Sequence, residues 1–153
     1  MTYPRVSLYA AMLAAAGTPL YIHLPQFASV NLVIGLVALG GILLAIRLLD
    51  LIQDPVIGWA VDRWPGAQAL FAWLAVAGLA LGFPLLFTLE AGGDSIVKLV
   101  LVLALLFTAY SLGMILLYGR SATLAQSASR DDLLTLAAYR EAGMLGGVIL
   151  AAI

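Results

Sequence analysis

Five apolar stretches, each long enough to cross a bilayer, follow one another along this chain with only short polar breaks between them. A helix crosses about 30 Å of hydrocarbon with roughly 20 residues. Charges and turn residues mark the stretches off as Val6 to Phe27, Asn31 to Val61, Ala67 to Leu89, Ile96 to Tyr118 and Asp132 to Ile153. Lipid offers no water to unpaired peptide groups, so only helices or a closed barrel can span it, and runs this long and this evenly apolar are helices. Of the 153 residues, 64% are apolar and 10% charged, with a mean hydropathy of +1.11. That is more apolar surface than one soluble domain of this length hides. The expected fold is therefore an all-α integral membrane protein of about five transmembrane helices, with the lipid bilayer as its solvent.

The few charges exclude some functions and orient the chain. A net charge of −1 without a basic run does not suit nucleic acid. The absence of cysteine rules out disulfides and thiolate metal sites, and one histidine cannot build a histidine-rich metal site. No cofactor is expected. The N-terminal stretch lacks a short apolar core ending at a small-residue cleavage site, so it reads as a retained helix. Arg5, Arg63, Arg120 and Arg130 fall on one side, and Lys98 lies on the other beside Glu90 and Asp94. Basic residues favour the cytoplasmic side, which puts the N-terminus inside. The last stretch, from Gly143 to Ile153, ends without a polar or basic anchor. This points to a chain truncated within its fifth helix, with a small five-helix protein as the alternative.

Small residues at Gly78 and Gly82, at Gly143, Gly146 and Gly147, and at Gly35, Gly40 and Gly41 are expected where helices approach closely. Pro19, Pro25 and Pro84 lack amide hydrogens and are expected to bend their helices.

The second stretch carries the chemistry. At 100° per residue, Arg47, Asp50, Asp54 and Gly58 fall within about 80° of one another, with Asp62 at the edge of that stripe. An ionisable group at the bilayer centre costs at least ~2.5–3.5 kcal/mol on insertion scales, so this face needs partners, water or a function. One positive and two negative charges leave room for one cation. Carboxylate oxygens suit a small hard cation such as Na+, and a low dielectric also favours a proton on a carboxylate. Pro55 leaves the Leu51 carbonyl without its helical donor, offering a further oxygen ligand. The alternative is that helix 2 ends near Leu49, with Arg47 snorkelling into the interface.

The pattern Arg47-x-x-Asp50-x-x-x-Asp54-Pro55-x-x-Gly58-x-x-x-Asp62-Arg63 resembles the helix 2 motif of the glycoside–pentoside–hexuronide:cation symporters, the melibiose permease branch of the major facilitator superfamily. Tyr118-x-x-Ser121-Ala122-x-x-Ala125, followed by Tyr139-Arg140, resembles helix 4, the loop and helix 5 of that family. The resemblance implies part of the N-terminal six-helix half of a twelve-helix fold, with the missing remainder of its own chain as partner. It implies that Asp50 and Asp54 bind a coupling ion, Na+ or H+, with Arg47 in their charge network. A small polar solute, a sugar or glycoside, is expected among Tyr21, His23, Tyr110, Tyr118 and Arg140, and Asp62 and Arg63 are expected in the cytoplasmic gating loop. The implied setting is a bacterial inner membrane.

The chain departs from that pattern where melibiose-type members hold sugar with acids on helices 1 and 4. Those helices here offer Tyr21, His23 and Gln26, then Tyr110, Ser111 and Tyr118. His23 also reads as an interfacial histidine, Arg140 with Glu141 as a cytoplasmic anchor, and Asp131 with Asp132 as helix-capping acids. Two other functions use aspartates in membrane helices. One is a Mg-dependent prenyl or phosphatidyl transferase, disfavoured because Arg47 sits on the face where metal would bind. The other is a non-transporting membrane protein in which Arg47 merely clamps the acids.

Overall fold

The structure is a computed structural model that describes residues 3–119 and 129–152. Arg120, Ser121, Ala122, Ala125 and Ile153, each singled out from the sequence, lie outside the described residues. The described residues form five helical spans long and apolar enough to cross a membrane: Tyr3–Val30, Leu36–Arg63, Pro65–Phe87, Ser95–Gly119 and Arg130–Ala152. The first comprises α1 (Tyr3–Thr18), a π-helical turn (Pro19–His23) and α2 (Leu24–Val30). The others contain α3 (Leu36–Arg63), α4 (Gln68–Phe87), α5 (Ser95–Gly119) and α6 (Arg130–Ala152).

The π-helical turn arises from its prolines. In an α-helix the Pro25 ring would press on the Tyr21 carbonyl four residues earlier, and neither Pro19 nor Pro25 has an amide hydrogen to give. Widening the turn relieves the clash, and the Leu24 N–H reaches back five residues to the Pro19 carbonyl. The extra residue rotates the rest of the span by about 100° and decides where Tyr21 points. Pro84, by contrast, sits inside α4 without interrupting it.

The second span starts later than its composition suggests. Residues 31–35 form a connection in which Val33 has φ 55, a conformation unfavourable for a β-branched residue. Gly35 then enters α3 from extended backbone, and its carbonyl accepts the Leu39 N–H at 3.0 Å.

Central to the bundle is α5, which packs against α1, α3 and α4, while α1 pairs most extensively with α6. Its Leu99, Leu103 and Leu106 are fully buried, with Leu13, Leu20 and Leu24 of the first span. Large apolar side chains such as Leu44, Leu51, Trp59 and Trp73 are exposed. Lipid is the natural neighbour of such a surface.

Glycines set two of the helix contacts. A Cβ at Gly143 would collide with the Ser7 carbonyl, and one at Gly147 with the Ala11 carbonyl, so α1 and α6 touch backbone to backbone. Gly78 and Gly82 of α4 likewise admit Ala109 and Leu106 of α5. The expectation of close approach fails at Gly35, Gly40, Gly41 and Gly146, where an added Cβ meets nothing within 4 Å. Those glycines lie on faces turned away from the described helices. Tyr3 fastens the start of α1 to α6, its hydroxyl donating to Asp132 Oδ1 at 3.3 Å and its ring stacking on Tyr139 at 5.7 Å.

Forcing α1 and α6 apart should therefore cost stability at one glycine and not at its neighbour. Gly147→Val is expected to destabilise the chain by about 1–3 kcal/mol, the usual cost of overpacking, whereas Gly146→Val should leave the melting temperature in detergent nearly unchanged.

Candidate functional site

Only four residues of α3 are buried, Leu39, Ile46, Asp50 and Val61, and one of them is a carboxylate. Asp50 is 6% exposed, and a buried charge persists only when paired and hydrogen-bonded. Arg47, one turn earlier, donates Nη1 to Asp50 Oδ2 at 3.1 Å. Gln53, one turn later, donates Nε2 to Asp50 Oδ1 at 2.8 Å. Thr108 of α5 donates its hydroxyl to Gln53 Oε1 at 3.1 Å, carrying the network across the interface of the two helices. Both oxygens of Asp50 are thus occupied, one by a cation and one by a neutral amide.

Arg47 divides its guanidinium between two partners. While Nη1 holds Asp50, Nη2 donates to the Tyr21 hydroxyl at 2.6 Å. The guanidinium carbon lies 5.1 Å from the Tyr21 ring centroid and 4.9 Å from that of Phe107, within cation–π range of both. The two rings meet edge to face at 6.0 Å, and Tyr110 adds a second edge contact to Tyr21 at 6.4 Å. Span one, α3 and α5 converge on one arginine.

Asp54 stands one turn beyond Asp50 on the same helix. Arg47 does not reach it, and its Oδ1 is buried without a hydrogen-bond partner. A buried, unpartnered carboxylate oxygen is uncommon in folded proteins and demands an explanation. One arginine faces two aspartates here, and it pairs with Asp50.

The remaining residues singled out from the sequence divide into three places. Tyr118 and Arg140 form a second cluster between α5 and α6: the Arg140 guanidinium lies 4.3 Å from the Tyr118 ring centroid and pairs with Glu141 at 3.0 Å, and the Tyr118 hydroxyl donates to Met144 Sδ at 3.1 Å. His23 is exposed at the end of the π-helical turn, two residues past Tyr21. Asp62 and Arg63 are exposed in the last turn of α3.

Gln53, Phe107 and Thr108 belong to the network and are not evident from the sequence pattern. Gln53 was detectable, being three residues after Asp50 and so on the neighbouring face. Phe107 and Thr108 carry no such signal, because only the packing of α5 on α3 brings them near. Among the described residues, no group of three or more histidine, cysteine or acidic side chains gathers as a metal site.

A model of the MFS/sugar transport protein family matches residues 6–153. The chain belongs to that family. It is accordingly a multi-pass membrane protein of the major facilitator superfamily, and the expected all-α fold with five membrane-length helices stands. No curated protein and no solved structure matches it.

If Arg47 is what makes Asp50 tolerable inside the bundle, Arg47→Ala should destabilise the protein by about 2 kcal/mol. That is below the ~3–5 kcal/mol of breaking a fully buried pair, because the arginine is half exposed. Adding Asp50→Asn should recover most of the loss in thermal unfolding.

Proposed function

We propose that this member of the family is a cation-coupled symporter of a small polar solute, of the melibiose permease type, working by alternating access. The observation that carries the reading is the buried Asp54 oxygen without a partner, beside an Asp50 already neutralised by Arg47. Na+ or H+ is the coupling ion. Asp54 supplies the charge, Asp50 Oδ1 a second oxygen, and the Gln53 amide and Thr108 hydroxyl, adaptable groups able to present oxygen, complete the shell. With the ion bound, two carboxylates and two cations balance, so the occupied site crosses the low-dielectric interior more cheaply than the charged one.

The solute fits the aromatic surface nearby. Sugars present flat apolar faces and a rim of hydroxyls, and Tyr21 and Tyr110 supply both rings and phenolic groups. Tyr118 and Arg140 supply another ring and a strong donor further along α5 and α6. Because spans one and four of this chain carry no carboxylate toward the solute, a neutral sugar or glycoside held by phenols suits it better than a solute needing acidic partners. Asp62 and Arg63, expected in the loop, lie instead in the last turn of α3, because the helix continues to Arg63, and there they border the connection that moves as access alternates. The setting is a bacterial inner membrane with the N-terminus cytoplasmic, as the basic residues favour.

Uptake into vesicles containing the intact protein tests the ion assignment. In Asp54→Asn the stimulation by a Na+ or proton gradient should fall to the gradient-free level, while the variant still reaches the membrane folded. Undiminished stimulation would remove Asp54 from the mechanism.

A further inference from the structure

We infer that Tyr21 is a positioning residue for the cation site: its hydroxyl holds the second arm of the Arg47 fork away from Asp50, and so keeps a carboxylate oxygen available to the coupling ion. The inference rests on the proposed cation coupling and concerns how that site stays open.

Arginine and a carboxylate frequently engage through two parallel hydrogen bonds, because the guanidinium fork matches the carboxylate geometry. Here only one arm does so. Nη1 takes Asp50 Oδ2 at 3.1 Å, whereas Nη2 is held by Tyr21 at the shorter distance of 2.6 Å. Asp50 Oδ1 is left to the amide of Gln53 at 2.8 Å. The difference matters chemically. A neutral amide yields to a cation, and a guanidinium bound at both oxygens both repels it and occupies its ligand.

Two further features keep the fork in this pose. The ring of Phe107 lies under the guanidinium at 4.9 Å and meets Tyr21 edge-on at 6.0 Å, so rotating Nη2 toward Asp50 Oδ1 disturbs an aromatic seat as well as a hydrogen bond. Tyr21 itself sits in the π-helical turn Pro19–His23, and the widened turn aims its ring at α3 and α5. Without the Tyr21 hydroxyl the aromatic seat remains but the second arm is unclaimed. It then turns to Asp50 Oδ1, displaces Gln53, and leaves Asp54 as the lone carboxylate for the ion.

Cation binding without solute isolates this role, since a side chain that only touches solute would not change it. The intact protein purified in detergent is melted over a series of NaCl concentrations at constant ionic strength with choline chloride, and over a pH series in choline chloride alone. Tyr21→Phe keeps the ring and loses the hydroxyl. It should raise the half-saturating Na+ concentration about tenfold, or, where protons alone stabilise the protein, lower the midpoint of that stabilisation by about one pH unit, in keeping with one hydrogen bond to a charged group. In an Arg47→Lys background, where the ammonium has no second arm, Tyr21→Phe should cause no further change.

A midpoint for Tyr21→Phe equal to the unaltered protein's overturns the inference and leaves the cation reading intact. An equal shift in the Arg47→Lys background also overturns it, because Tyr21 then acts by some route other than the fork. If neither Na+ nor protons stabilise the unaltered protein, the cation reading itself fails and the inference falls with it.

Discussion

The carboxylate of Asp50, buried in a bundle that offers almost no other charge, governs the arrangement of the three helices around it. A bare carboxylate there would cost several kcal/mol, and the structure answers it from two directions. Arg47 and Gln53, each one turn away on α3, cover its two oxygens. Those two side chains are in turn held from outside the helix, Arg47 by Tyr21 and Phe107, and Gln53 by Thr108. The polar layer is thus a chain of contacts running from span one through α3 into α5, with Asp50 at its middle. Asp54, on the same face, has a buried oxygen that the layer does not satisfy.

The apolar packing is distributed differently. Backbone contact at Gly143 and Gly147 locks α1 to α6, and Gly78 and Gly82 bring α4 onto α5. On α3 the glycines contribute no such contact, and three apolar residues are all it buries beside Asp50. The helix that carries the candidate ion site is consequently attached to its neighbours in good part through the site. Changing the charge at Asp50 changes the bonds that tie α3 to span one and α5.

Much of this fold is legible in the chain itself. Length and hydropathy alone mark out five spans, since a bilayer of fixed thickness translates directly into a run of apolar residues. Helical periodicity places Arg47, Asp50 and Asp54 on one face, because it depends only on spacing along a single helix. The formal charges of these three residues sum to −1, whatever the fold. The start of α3 comes at Leu36 and not at Asn31, since residues 31–35 are apolar enough to continue a helix while Val33 and Gly35 leave it. Glycine spacing indicates close packing at eight positions and is right for Gly78, Gly82, Gly143 and Gly147. A glycine permits close approach, but the facing helix has to be there.

Sequence by itself determined the membrane, the number of spans, the charged face and its deficit of one cation. Tertiary structure decided how that deficit is distributed: Arg47 pairs with Asp50 and not with Asp54, although both acids share its face. The choice depends on Tyr21, held against α3 and α5 from a π-helical turn in span one, and on Phe107 and Thr108, brought up by α5. These residues are 26, 60 and 61 positions from Arg47. Periodicity says nothing at such distances, and only the packing of three helices sets which oxygen is covered and which is left without a partner.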